Sequence, residues 1–127
     1  MNLIATEQQE QIALMQWAAL HPICKDYLIH IPNGGSRHPL EAKNLKRMGV
    51  KAGVSDLFLA YPQYHYDEEG MHGQWRHGLW IELKSKKGKV TNTQLYWLSQ
   101  MQERNYIAEV AYGWEEARDI ISRYLGE

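Results

Sequence analysis

The chain has 127 residues, a length at which folding buries about two-thirds of the surface that an unfolded chain exposes. Apolar residues make up 44% and charged residues 23%, which excludes a disordered or fibrous chain and predicts one globular domain over residues 1–127. The formal charge of −1 argues against a general binder of polyanions, and the single cysteine excludes an internal disulfide. Since no apolar stretch approaches the roughly 20 residues of a membrane span, we expect a cytoplasmic protein.

The first part of the chain predicts alternating helices and strands. An amphipathic helix is predicted from about Thr6, an N-capping residue, to Leu20. Its apolar residues at helical spacing are Ile12, Met15, Ala19 and Leu20. A strand over 27–31, a glycine loop and a short basic helix over 40–48 follow, and the run 54–61 is apolar enough for a central strand.

The second part begins with a polar, aromatic and glycine-containing stretch over 62–76, which predicts a hairpin-like excursion of low order. Residues 78–85 alternate in polarity as a strand does, a helix capped by Thr91 or Asn92 runs to about 104, and a strand over 106–112 and a helix over 114–125 complete the chain. The helix between the last two strands is long enough for a right-handed crossover, so those strands are predicted to be parallel neighbours or near neighbours. The order predicts an α/β fold, a sheet with helices on its faces.

Three charged residues occupy predicted core strands. Asp56 begins one strand, and Glu82 and Lys84 share one face of another because side chains alternate along a strand. Pairing of the two strands would bring two carboxylates and an amine together. Such carboxylates resist joint ionisation unless a cation lies between them, and oxygen ligands suit Mg²⁺ or Mn²⁺. The pattern therefore indicates phosphodiester hydrolysis, with a salt-bridged strand surface as the alternative.

The segments that carry these residues, GVSDLFL and WIELKSKKGKVTNTQ, together with the loop Asn33-Gly34-Gly35, resemble the VRR-NUC nucleases of the PD-(D/E)XK superfamily over nearly the whole chain. The resemblance implies a restriction-endonuclease-like fold, a central mixed β-sheet flanked by helices. It also implies that a helical Glu, Asp56 and Glu82 bind Mg²⁺ or Mn²⁺ and that Lys84 assists the attacking water. The Leu83 carbonyl is a further metal ligand by the same resemblance, and Gln94 matches a glutamine that the family places at the start of the following helix.

Two glutamates qualify as the helical ligand, Glu7 and Glu10, because residues three apart on a helix face nearly the same way. We favour Glu10, which lies one turn deeper in the helix. Ser55 stands where the superfamily pattern has proline, a change that affects backbone shape and not the chemistry. The long excursion after residue 61 leaves the shape of the substrate open.

The resemblance implies a metal-dependent DNA endonuclease similar to Holliday-junction resolvases, found in a bacterial or phage-infected cell. A small domain has one active site, so symmetric cleavage of a junction predicts a homodimer. A non-catalytic nucleic-acid binding module, a restriction-type nuclease and a flap nuclease are the alternatives.

Basic residues flank the predicted site and are candidates for contacts with the DNA backbone. They are Lys43, Lys46, Arg47, Lys51, Lys86, Lys87 and Lys89. The loop residues Asn33 and Gly34 offer backbone amides to phosphate, with Arg37 nearby. A solvated charged face and a plain tight turn are the respective alternatives.

Residues 61–76 add two weaker hypotheses. The aromatic residues Tyr64, Tyr66 and Trp75 are candidates for stacking on unpaired bases or for a partner surface. His65, Asp67 and His72 form a less favoured zinc site.

Overall fold

The computed structural model describes residues 3–32 and 38–127. The helices are α1 (Glu7–Ala18), α2 (Cys24–Tyr27), α3 (Pro39–Arg47), α4 (Asn92–Glu103) and α5 (Trp114–Tyr124). The strands are β1 (Leu28–His30), β2 (Leu57–Leu59), β3 (Gln63–Tyr66), β4 (Gly73–Arg76), β5 (Leu79–Lys84) and β6 (Ile107–Tyr112). None of the helices in these ranges has the length and apolar character needed to span a membrane.

The four strands β1, β2, β5 and β6 form one mixed sheet, in the order β1-β2-β5-β6. The first two pairings are antiparallel, whereas β5 and β6 are parallel and are joined through α4. This confirms the α/β prediction and the parallel neighbours on either side of the helical crossover. The strands β3 and β4 form a separate antiparallel hairpin, so the excursion over 62–76 is regular structure where low order was expected.

The main core lies between one face of the sheet and the helices α1 and α5. The sheet contributes alternate residues of β2 and β5 that are fully buried: Leu57, Leu59, Leu79, Ile81 and Leu83. The opposite face carries Phe58 and Trp80, whose rings stack with centroids 4.3 Å apart, and Trp97 of α4 packs edge-on against Trp80. Because strand residues alternate between faces, Asp56, Glu82 and Lys84 belong to this second face.

Helix α1 buries a different stripe from the one that its apolar residues predicted. Glu10, Leu14 and Ala18 are buried at a spacing of four, while Ile12 and Leu20 are exposed. Thr6 caps the helix as predicted, since its hydroxyl accepts from the Gln9 amide and the Gln9 side chain accepts from the Thr6 amide.

Candidate active site

Asp56 immediately precedes β2 and is held in place through both its main chain and its side chain. Its carbonyl accepts a hydrogen bond from the Ile31 amide at 2.6 Å, which ties it to the end of β1. Its carboxylate Oδ2 accepts a hydrogen bond from the Leu83 amide at 2.9 Å, just beyond the last residue pair of the ladder between β2 and β5. The side chain is therefore fixed at the edge where β2 begins and β5 ends.

Glu82 lies opposite Asp56 in the register that pairs Leu57 with Ile81. The residue is 1% exposed, and its Oε1 is buried with no hydrogen-bond partner in the described ranges. Burial, followed by a hydrogen bond and repulsion from Asp56, raises the pKa of Glu82 to about 9. The carboxyl is consequently neutral at pH 7 unless a cation is bound beside it.

Glu7, the first residue of α1, completes an acidic cluster with Asp56 and Glu82. One ligand oxygen from each of the three lies within 4.8 Å of the others. Burial and the negative charge of Asp56 raise the pKa of Glu7, and Lys84 opposes this. Among the His, Cys, Asp and Glu side chains of residues 3–32 and 38–127, no other three come close enough to hold a metal ion.

Glu10, which the sequence analysis favours as the helical ligand, is not one of the three clustered carboxylates. The residue is 3% exposed and faces α5, where its Oε1 accepts from the Trp114 amide at 3.3 Å. Its Oε2 approaches Gly113, so that a β-carbon at this position would lie 3.2 Å away. Gly113 supplies no side-chain cap to α5, and the Glu10 carboxylate takes that place at the positive end of the helix.

Lys84 ends β5 on the same face as Glu82, and its Nζ lies 3.9 Å from Glu82 Oε2. It is 8% exposed, so its ammonium group is held beside the carboxylates and largely away from bulk water. The main chain of Leu83 faces the side on which Asp56 lies, because its N–H donates to that carboxylate. In a strand the C=O of a residue points to the same side as its N–H, which directs the Leu83 carbonyl there too.

Gln94 links α4 to the cluster. Its Nε2 donates to Glu82 Oε2 at 3.4 Å, while its Oε1 accepts from the Thr91 amide at 2.9 Å. The Thr91 hydroxyl in turn accepts from the Gln94 amide, so the capping box of α4 fixes the side chain that contacts Glu82. The sequence predicted a helix cap at Thr91 or Asn92. In the structure Thr91 is the cap, and its hydrogen bond with Gln94 orients that side chain.

The basic segments lie at the same end of the sheet as the cluster. Lys86, Lys87 and Lys89 follow Lys84 directly, and Lys51 precedes Asp56 by five residues. Gly53 has a φ of +86° and approaches α4 so closely that a β-carbon would lie 2.6 Å from the Thr93 carbonyl oxygen. Glycine has no β-carbon, and this allows the loop before β2 to lie directly against the start of α4.

All seven predicted basic contact residues are exposed, including Lys43, Lys46 and Arg47 of α3. The predicted phosphate contacts Asn33, Gly34 and Arg37 lie outside the described residues.

The histidine of the proposed zinc site and the single cysteine have structural explanations. His65 donates through Nε2 to the Tyr124 carbonyl at 2.9 Å and does not group with Asp67 and His72 as metal ligands. Cys24 is buried, and burial raises the pKa of its thiol to about 11, which makes it a poor nucleophile.

Comparisons with known proteins point to one family. The family model described as the VRR-NUC domain matches residues 5–115. A solved structure described as a VRR_NUC domain protein is similar to this chain, with a TM-score of 0.79 and 29% sequence identity over 98% of this chain and 92% of the other. No curated protein matches the chain. The VRR-NUC domain implies a nuclease-type function with DNA as the substrate, and the chain belongs to the VRR-NUC domain family.

Proposed function

We propose that the protein is a metal-dependent DNA endonuclease that hydrolyses phosphodiester bonds at the acidic cluster. The observation that carries the proposal is the meeting of Glu7, Asp56 and Glu82 within 4.8 Å, beside the largely buried Lys84. Three carboxylates this close disfavour one another's ionisation, and the single positive charge of Lys84 offsets only part of that repulsion, which favours binding of a divalent cation. The buried Glu82 Oε1, which has no hydrogen-bond partner among the described residues, is available as a ligand atom for such an ion.

The residues fit a hard divalent cation. Glu7, Asp56, Glu82 and the Leu83 carbonyl offer only oxygen ligands, which suit Mg²⁺ and Mn²⁺. A divalent ion at such a site supplies Lewis-acid stabilisation of phosphate and lowers the pKa of bound water. Hydrogen bonds orient two of these carboxylates: the Leu83 amide donates to Asp56, and the Gln94 side chain donates to Glu82.

Lys84 is proposed to act on the water and on the phosphate. Its ammonium group reaches the edge of the cluster from the same strand as Glu82, a position from which it can hydrogen-bond an attacking water. The same positive charge stabilises the additional negative charge that phosphate acquires in the transition state. The backbone of the DNA would cross the exposed lysines on either side.

Cleavage of a branched substrate of the Holliday-junction type is the finer part of the proposal. Each chain carries one acidic cluster within its described residues, and two symmetric cuts need two clusters. A two-fold homodimer satisfies that requirement.

Retained DNA binding without any cleavage would instead favour a non-catalytic nucleic-acid binding module.

Nicking of supercoiled plasmid by wild type and by Asp56→Asn tests the assignment. We expect Mn²⁺-dependent nicking that a chelator abolishes, and a loss of at least about 100-fold in Asp56→Asn, since even an outer hydrogen-bond partner of a metal ligand is worth 10–100-fold. Binding of a labelled duplex should change little, because no basic residue is removed. Asp26→Asn, an exposed aspartate of α2, is the matched control.

Undiminished nicking by Asp56→Asn would refute the site. Mapping of the cuts on duplex, flap, fork and four-way substrates then tests the finer part, for which paired symmetric cuts at the four-way junction are expected.

A further inference from the structure

The hairpin β3–β4 is an arm fixed to the body of the protein by one of its faces. On that face His65 donates to the Tyr124 carbonyl at 2.9 Å, and Arg76 Nη1 donates to Asn105 Oδ1 at 2.8 Å. These two contacts join opposite strands of the arm to α5 and to the turn after α4. The arm is therefore held in one orientation.

The other face of the arm carries exposed aromatic rings. Tyr66 is 69% exposed and Trp75 is 58% exposed, and both pack edge-on against the ring of Tyr64 between them, with centroids 5.0 and 5.5 Å away. Aromatic rings clustered on a protein surface mark an interaction site more often than isolated apolar residues do.

One edge of the arm is open. Asp67 and His72 are hydrogen-bonded across the hairpin, so by the alternation of an antiparallel ladder the N–H and C=O groups of Tyr64 and Tyr66 point away from β4. No backbone hydrogen bond outside the hairpin joins these two residues to the rest of the described chain. On the β4 edge, by contrast, the side-chain Nδ2 of Asn105 donates to the Trp75 carbonyl. The free edge is β3.

The charge of the arm argues against nucleic acid as its occupant. The tip carries Asp67, Glu68 and Glu69, all exposed, next to the aromatic rings. These carboxylates repel phosphate. The arm also begins where β2 ends, at the opposite end of β5 from Lys84, a separation of about 17 Å at the rise of a strand.

A second copy of the chain fits the open edge. Two antiparallel β3 strands centred on His65 place Tyr64 opposite Tyr66 of the second copy, and Tyr66 opposite Tyr64. In that register the outward N–H and C=O groups make four hydrogen bonds. The contact is two-fold and self-complementary, and the acidic tips end at opposite sides of the joined sheet.

We propose that the open edge of β3, together with its aromatic face, is the homodimer contact of this protein. The two hairpins form one four-stranded antiparallel sheet, and the contact includes none of the acidic cluster residues, which lie at the other end of β5 from the arm. The inference deepens the dimeric nuclease proposed above and rests on it for its biological purpose. An interface limited to one pair of short strands and the adjoining aromatic side chains predicts a weak dimer that dissociates on dilution.

Sedimentation equilibrium of wild type and Tyr66→Pro tests the contact. Proline removes an N–H that faces away from β4, a position at which an edge strand tolerates it, so the hairpin keeps its own ladder. From about 1 µM to about 1 mM, a range that covers weak association, we expect the wild-type mass to rise from 14.8 kDa towards its double. We expect Tyr66→Pro to dimerise at least about 10-fold more weakly, the effect of about 1.4 kcal/mol.

Two further variants separate the backbone from the ring. Tyr66→Ala keeps the N–H and should weaken the dimer less than Tyr66→Pro does. Tyr96→Ala removes another exposed tyrosine, on α4, and should leave the dimer unchanged. If circular dichroism shows that Tyr66→Pro unfolds the chain, Tyr64→Lys places a charge on the same edge and is expected to give the same loss.

A wild type that stays monomeric throughout would overturn the proposal, as would a dimer that Tyr66→Pro leaves intact. Dissociation of the dimer by a short oligothymidylate would assign the aromatic face to single-stranded DNA instead. None of these measurements requires cleavage, so the dimer contact and the nuclease can fail independently.

Discussion

At the scale of the residue, the burial of Glu82 in a β-strand is explained by the polar side chains that surround it. A strand residue with 1% exposure is ordinarily apolar, and the neighbouring Ile81 and Leu83 are. Glu82 is instead surrounded by Asp56, Lys84 and Gln94. Burying an ionisable group is unfavourable unless a proton or a cation neutralises it.

The protonation of Glu82 predicts how stability depends on pH in the metal-free protein. Between pH 4.5 and about 9 the folded carboxyl keeps a proton that the unfolded chain has lost. The free energy of unfolding therefore falls as pH rises, by at most about 1.4 kcal/mol per pH unit from this group. Urea unfolding at about pH 6, 7 and 8 measures the slope, and Mn²⁺ should stabilise the protein more at the higher values, because it binds the ionised form.

Glu82→Gln keeps the shape of the neutral carboxyl and removes its titration, so its stability should change less with pH. Glu69→Gln at the tip of the arm, an exposed glutamate, should behave as wild type. A wild-type slope that is flat, or that rises over this range, would contradict the assignment.

Sequence reasoning identified Asp56, Glu82 and Lys84 as neighbours for a physical reason. The period of a strand assigns Glu82 and Lys84 to one face, and a charged residue in an apolar run stands out. The choice between Glu7 and Glu10 depended instead on which face of α1 packs against the sheet. Glu10 shares the spacing of four with Leu14 and Ala18, a pattern that was present in the sequence and would have placed it inside.

At the scale of the element, α1 holds two carboxylates with separate tasks. Glu7 projects from its first turn towards Asp56 and Glu82, and Glu10 is buried against the start of α5. A side chain that accepts a hydrogen bond at the N-terminus of a helix stabilises that helix. Since both Glu10 and Lys86 pack around Gly113, this contact also connects α1 with the turn after β5.

A pair of variants separates the two tasks. Glu10→Ala should lower the free energy of unfolding by about 1–2 kcal/mol, the usual loss for a helix cap, with nicking largely retained. Glu7→Ala should leave stability within about 0.5 kcal/mol, as is usual for an exposed residue, and reduce Mn²⁺-dependent nicking strongly. Urea unfolding and plasmid nicking on both proteins measure the two effects, and the opposite pattern would identify Glu10 as the metal ligand.

The elements themselves were predictable where one signal dominated. Helix α5 buries Ala117, Ile120, Ile121 and Tyr124, the stripe that its spacing predicts. The hairpin was expected to be of low order because its composition is polar. Its order comes from tertiary contacts of His65 and Arg76 with residues distant in sequence, which composition does not register.

At the scale of the whole molecule, a net charge of −1 conceals a separation of charges. The exposed lysines at 86, 87 and 89 lie at the end of the sheet that holds the acidic cluster, and the acidic tip of the arm lies at the other end. Within the described part of the chain, no ion pair with a carboxylate engages these three lysines. Their charge is therefore available to a polyanion that approaches the cluster.

This arrangement predicts a salt-dependent affinity for duplex DNA that depends on the position of the lysines and not on their number. The logarithm of the binding constant falls linearly with the logarithm of the salt concentration, by about 0.9 for each phosphate contact. Replacing Lys86, Lys87 and Lys89 by alanine should reduce that slope by up to about 2.7, and fluorescence anisotropy in a salt series without metal measures it. Lys25→Ala removes an exposed lysine of α2, at the end of β1 distant from the cluster, and should leave the slope unchanged. Equal slopes in the wild type and the triple variant would mean that these lysines form a solvated face, and the path of the DNA would then have to be sought along α3.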